Sequence, residues 1–457
     1  MRVLLGKGLA TSRRVAMPAL PAGEHYLGWL PVLSLVSALG LLAVAVAYTG
    51  ARLNDPWAEL VYWVGVLALY LPIATRLVSA SASRAERLGL VALLGVGLYG
   101  VKVLHSPLAF TFHDELAHWR TARDILLTGR LYGENAIVTT SPLYPGLEIA
   151  ASALVGLGGF ELFDAGVLVV GVARLVFMLA LYLFYEEIGR SEWLAGVAVL
   201  LYTTNPSFLV FDAQFAYESL ALPIAALILF ALARRTGARP AVRVGLTVLV
   251  LLGLAAVVIT HHLTVYALIG LLGLWTLAAW YSRQAGDRTE EVGWTVVLAA
   301  VVVGAWLAYV ATLTVSYLAG PLRLTLEDLR RLLAGEPLVR YLFGEVGGQM
   351  AAPWERLTIY AATALVLITL PFGLVYVWRR YGTNTLALVL AATALAYPAT
   401  LALRLVPGGA EASSRASAFV FLGVAFVLAI AAREAWLAGE PGWRRLVIFT
   451  TWATVIF

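Results

Sequence analysis

The chain has 457 residues, of which 61% are hydrophobic and 13% charged, with a formal net charge of +5. A soluble domain carries roughly twice that charged fraction, so water is not its main solvent. There is no cysteine, which excludes disulfides, thiolate metal sites and cysteine nucleophiles.

The apolar residues form continuous runs of about 20 rather than alternating with polar ones, which predicts membrane-crossing helices and not a β-barrel. The expected fold is all-α and integral to the membrane, with about 13 crossings: 28–49, 57–79, 87–105, 163–185, 192–210, 216–233, 243–260, 263–281, 293–317, 355–378, 384–403, 415–432 and 445–457. Leu27 to Tyr48 is long enough to cross, so it reads as a first span and not a cleaved signal peptide. Residues 1–86 make an N-terminal part with two helices, 87–235 a core, and 236–457 the remaining helices.

Arginine supplies almost all of the positive charge, since Lys7 and Lys102 are the only lysines. The arginines mark the ends of alternate apolar runs, as in Arg84 with Arg87, Arg234 with Arg235, and Arg379 with Arg380. That is a topology signal, not a nucleic-acid surface. It places those short loops in the cytoplasm and the longer 106–162 and 318–354 connections outside a plasma membrane. Five of the six histidines then fall in or beside external segments.

The first external loop opens with His113-Asp-Glu-Leu-Ala-His118. From Asp114 to Leu127 the apolar residues recur with helical period, so His118 shares a face with Asp114 or Glu115. Either that shared face is functional, or the acidic pair is a simple complement to a helix N-terminus. A run from Leu147 to Leu157, reached through Pro142 and Pro145, is too short to cross and predicts a juxtamembrane helix.

Further along, Asp212 and Glu218 lie at the outer mouth between two spans, where acids are either functional or merely solvated. His261 and His262 occupy a tight outer turn; they suit a phosphate, a metal or a carboxylate, or are interfacial residues without a role. The 318–354 loop contains an amphipathic stretch, Leu324 to Leu333, that reads as a solvated lid helix. Arg404 and Arg415 flank the last external loop, against the positive-inside trend, and a lipid headgroup or phosphate is their natural partner. The sequence shows no P-loop, no HExxH, no GxSxG and no pair of broken helices.

In their order these features resemble the GT-C membrane glycosyltransferases, most nearly the protein O-mannosyltransferase and aminoarabinose transferase branch. The resemblance rests on His113-Asp-Glu-Leu-Ala-His118, Ser141-Pro-Leu-Tyr144, Gly158-Gly159 followed by Val172-Ala-Arg-Leu175, and Leu194 to Pro206 before Asp212 and Glu218. It covers about residues 87–235; two extra spans precede it, and the C-terminal half matches only in kind. It implies a polyprenyl-phosphate sugar donor and a glycan, lipid or protein acceptor hydroxyl. Asp114 would be the general base, with Glu115 as alternative or positioning group. His261, His262, Arg404 and Arg415 would balance the leaving phosphate. Asp212 and Glu218 would orient the acceptor or hold a divalent cation, although many users of lipid monophosphates need no metal. The competing class is a transporter or lipid flippase that uses the same residues as a proton relay; a non-catalytic scaffold in cell-envelope assembly is a further one.

Overall fold

A computed structural model describes residues 27–281, 289–335, 352–406 and 409–437. Among these the chain is helical without strands, and eleven helices are long and apolar enough to cross a membrane. The N-terminal part forms α1 (Leu30–Arg52) and α2 (Ala58–Val78), followed by α3 (Arg84–His105). The first long loop carries α4 (His113–Thr128) and α5 (Gly146–Gly158). Then come α6 (Leu162–Gly189), α7 (Glu192–Tyr202), α8 (Tyr217–Arg235), α9 (Pro240–Thr260), α10 (His262–Tyr281) and α11 (Thr289–Tyr309). The remainder is α12 (Leu313–Leu333), α13 (Pro353–Tyr381), α14 (Thr385–Ala394), α15 (Tyr397–Leu403) and α16 (Gly409–Leu437).

Eleven of the thirteen expected crossings have a counterpart in these helices. The expected last one, 445–457, lies outside the described residues. The other, 192–210, is helical only over the 11 residues of α7, about 16 Å at 1.5 Å per residue and too short to cross. Pro206 cannot donate to the Tyr202 carbonyl, and Asn205 accepts the Ser207 N–H at 3.2 Å, so the chain turns here instead of winding on. A second crossing, Thr385–Leu403, is interrupted between α14 and α15 just ahead of Pro398. The absence of broken helices read from the sequence is therefore corrected. Proline alone is no reliable sign of such a break, since Pro72, Pro223 and Pro371 sit inside continuous helices.

Helix ends form where the local chemistry stops them. Ser83, Ser191 and Asn384 cap the starts of α3, α7 and α14 by accepting backbone N–H groups at 3.1, 3.3 and 3.2 Å. Gly129 and Gly159 end α4 and α5 in the left-handed conformation, with φ of 66° and 68°. The amphipathic stretch expected over Leu324–Leu333 is the C-terminal half of the longer α12.

Ion pairs and hydrogen bonds gather the basic loops at one end. Arg84 pairs with Glu186 at 2.6 Å, Glu187 takes both Arg190 and Arg234, and Arg380 pairs with Glu434 at 2.9 Å. Asn384 donates to the Ile188 carbonyl at 3.2 Å. The opposite end holds α4, α5, α12 and the His261–His262 turn. Between the ends runs a core in which α16 is the most enclosed crossing, with 78% of its apolar stretch buried against 17% for α13. Tyr185 of α6 and Tyr202 of α7 donate to α16 carbonyls at Leu422 and Ala418, each at 2.9 Å. These bonds fix α16 beside α6 and α7, and so fix where its first turns, which carry Arg415, arrive.

Candidate functional site

At the end away from the basic loops, α16 delivers Arg415 between two acids. The guanidinium lies 3.1 Å from Glu218 at the head of α8 and 3.6 Å from Asp114 in the first turn of α4. Glu411, one turn earlier on α16, is a third neighbour at 3.4 Å. The Phe211 ring faces the guanidinium at 4.6 Å, an arrangement that favours a cation. The expected crossing that starts at Arg415 begins earlier, at Gly409, so Arg415 lies inside α16.

Asp114 and Glu115 are neighbours with separate tasks. The Asp114 side chain is 28% exposed and faces Arg415. Glu115 is fully buried and paired with Lys102 of α3. It also accepts the N–H groups of Thr111, Phe112 and Phe215 at 3.2, 3.3 and 3.2 Å. Its carboxylate thereby ties α3, the start of α4 and the stretch before α8 together.

His118 meets Glu148 of α5, Nδ1 to Oε1, at 2.6 Å, with Ser141 Oγ at 3.3 Å from the same nitrogen. The His118 ring stands edge-on to Tyr217 at 4.4 Å, and Tyr217 stacks on His261 at 4.3 Å. His262 follows at 5.1 Å from His261, and Tyr144 lies 5.0 Å from His262. His261 Nδ1 meets the Thr264 hydroxyl at 2.7 Å, while His261 Nε2 and His262 Nδ1 are buried without a hydrogen-bond partner. Burial, with the Arg415 guanidinium and the His262 ring nearby, holds the His261 imidazole well below its usual value, so it is neutral at pH 7. Tyr144 closes this row by bonding Thr314 of α12 at 3.1 Å.

Asp212 sits in a 3-10 turn, Phe211–Ala213, beyond the unwound stretch that follows α7. It is 3% exposed, and neither carboxylate oxygen has a hydrogen-bond partner. Burial raises its pKa to about 6 against the opposing pull of Arg174 and Arg415. The turn is held by Arg174 of α6, whose guanidinium donates to the Phe208 carbonyl and, at 3.3 Å, to the Asp212 carbonyl. That guanidinium also lies over the Phe208 ring at 3.5 Å. Irregular backbone next to a membrane core needs such internal donors.

The structure thus brings together Asp114, Glu218 and Arg415, and beside them His118, His261 and His262. Arg404 stands apart from that bridge: its Nε donates to Ser413 Oγ at 3.2 Å and braces the corner between α15 and α16. Among the described residues no cluster of three or more His, Asp or Glu side chains is arranged to hold a metal ion. Sequence reasoning missed Glu148, Tyr217 and Arg174. Glu148 and Arg174 carried a usable signal, each being an ionisable residue within an apolar run. Tyr217 carried none, since its importance comes only from the rings it touches. Compared with known proteins, the chain matches no family model and no curated protein.

Proposed function

We propose that the chain is a membrane glycosyltransferase of the GT-C kind, moving a sugar from a polyprenyl-phosphate donor to an acceptor hydroxyl on the outer face of the plasma membrane. The observation that carries this reading is the partly exposed Asp114 carboxylate, fixed in the first turn of α4 at 3.6 Å from the Arg415 guanidinium. Asp114 takes the acceptor hydroxyl proton as that oxygen attacks the anomeric carbon. The bond from the anomeric carbon to the phosphate oxygen breaks, and the lipid phosphate leaves with the electron pair. Arg415 supplies fixed positive charge for it, with the neutral imidazole of His261 nearby as a hydrogen-bonding group. Direct displacement inverts the anomeric centre. The basic loops at the other end of the bundle support the outward direction.

The test uses purified protein in lipid nanodiscs with a panel of radiolabelled polyprenyl-phosphate sugars. Asp114→Asn is expected to abolish transfer while the protein remains monodisperse, and retained transfer would overturn the assignment of the base.

A second reading, transport or lipid flipping, draws support from the interrupted Thr385–Leu403 crossing and the unpartnered Asp212 carboxylate. Proteoliposomes separate the two readings. Lipid-linked sugar that changes leaflet with its phosphodiester intact supports the transporter, and labelled acceptor supports the transferase.

A further inference from the structure

Among the described helices of 18 residues or more, α12 alone is not apolar enough to cross a membrane. Three residues separate it from the end of α11. There the N–H groups of Val310 and Ala311 both donate to the Trp306 carbonyl, at 2.9 and 2.8 Å, so the helical ladder of α11 closes and α12 starts a new one. Its first turns lie against the site. Thr314 bonds Tyr144 at 3.1 Å, and the Tyr317 ring stands edge-on to His262 at 6.3 Å.

At 3.6 residues per turn α12 has three faces. Thr314 and Thr325 are buried and mark the side against the protein. Next to them Val315, Leu322, Leu326, Leu329 and Leu333 fall within an arc of about 60°. Of these, Val315, Leu322, Leu326 and Leu333 are between 56% and 82% exposed. Beyond that arc come Arg323, Glu327 and Arg330, all exposed.

Such an apolar row is costly to leave in water. The lipid around α11 is continuous with it. Only 22% of the α11 apolar stretch is buried, and Tyr309 at its end is 87% exposed, as an aromatic ring is at a membrane–water boundary. Thus α12 starts at that boundary with an apolar arc beside an arginine-bearing one, which is the pattern of a helix lying in the interface. We propose that α12 docks on the leaflet at the end opposite the basic loops. Its apolar arc enters the acyl chains, while Arg323 and Arg330 stay at the lipid phosphates. The wall that Thr314 and Tyr317 give to the site is then held at headgroup depth. In place of the solvated lid helix expected from the sequence stands a membrane-bound one.

The chain has no cysteine, so a single introduced thiol can be spin-labelled alone. Three adjacent pairs test the proposal in full-length protein: Leu322→Cys with Arg323→Cys, Leu326→Cys with Glu327→Cys, and Leu329→Cys with Arg330→Cys. Each variant is placed in nanodiscs of phosphatidylcholine and phosphatidylglycerol. Paramagnetic resonance then reads collisions with oxygen, which concentrates among acyl chains, and with a water-soluble nickel chelate. The oxygen-to-nickel ratio is expected to be high at Leu322, Leu326 and Leu329 and to invert at the residue after each. Three pairs keep the comparison where one variant fails to fold. Nickel contact at all six positions means a helix in water and overturns the proposal. Shielding of the three leucine positions from both reagents means that protein covers them, a second copy included, and overturns it too. So does a high ratio at all six, which means a helix sunk wholly in lipid.

Discussion

Arg415 and Glu218 meet at 3.1 Å across 197 positions of chain, with the glutamate side chain 2% exposed and the arginine 18%. A buried carboxylate deprived of its cation is left uncompensated, which costs about 3–5 kcal/mol. Arg415→Ala is therefore expected to lower the melting midpoint of the detergent-solubilised protein sharply. Arg415→Lys should restore part of the stability but little activity, because a point charge cannot fork between Glu218 and Asp114. Tryptophan fluorescence melts, paired with sugar-transfer assays, check both outcomes.

The buried Lys102–Glu115 pair predicts a different pattern. Lys102→Met and Glu115→Gln should each destabilise by about 3–5 kcal/mol, since each leaves the other member without its ion-pair partner. The double variant should lose less than the sum of the two. A double-mutant cycle on unfolding free energy measures the difference, and strict additivity would show that the two side chains do not act as a pair.

Asp212 gives the stability a pH dependence of defined sign. Its folded pKa of about 6 lies above the ordinary value of 3.8, because burial disfavours the charged form. The contribution is thus fully present below pH 3.8 and is lost as pH rises through about 6. The loss is on the order of 3 kcal/mol, at 1.36 kcal/mol per pKa unit. Asp212→Asn removes the titration, so it should gain stability relative to wild type between pH 5 and about 7. Melting curves across that range decide it, and parallel pH profiles for the two proteins would contradict the buried-acid account.

The seam between α14 and α16 leaves no room for a methyl group at Gly423. A Cβ there would collide with the Leu390 carbonyl oxygen and stand 2.6 Å from the Ala394 nitrogen, both backbone atoms. Gly423→Ala should cost about 1–3 kcal/mol by forcing the two helices apart. Gly293→Ala is the control, since its Cβ would meet only the Thr276 methyl at 3.6 Å. Melting midpoints of the two variants should differ clearly.

Sequence legibility followed the range of the interactions. The long helices were readable because an apolar run such as Leu162–Gly189 states its own solvent, and α4 and α5 because period and entry prolines are local. The division of labour between Asp114 and Glu115 was not readable. Adjacent residues on a helix point about 100° apart, and only the tertiary neighbours, Arg415 for one and Lys102 for the other, separate their roles. The break after Tyr202 was equally hidden. Asn205-Pro206 permits it, but the Arg174 bonds that support it come from α6.

The distance along the chain between Glu218 and Arg415 also sets an order of events during synthesis. At about 5–20 residues per second, the 197 intervening positions take on the order of ten seconds or longer to make. For that interval Asp114, Asp212 and Glu218 wait at the membrane boundary without the cation that joins two of them. The cluster closes only when α16, the helix the rest of the bundle encloses, is inserted last among the described crossings. A nascent or truncated chain ending before Arg415 therefore holds its acids but no assembled site.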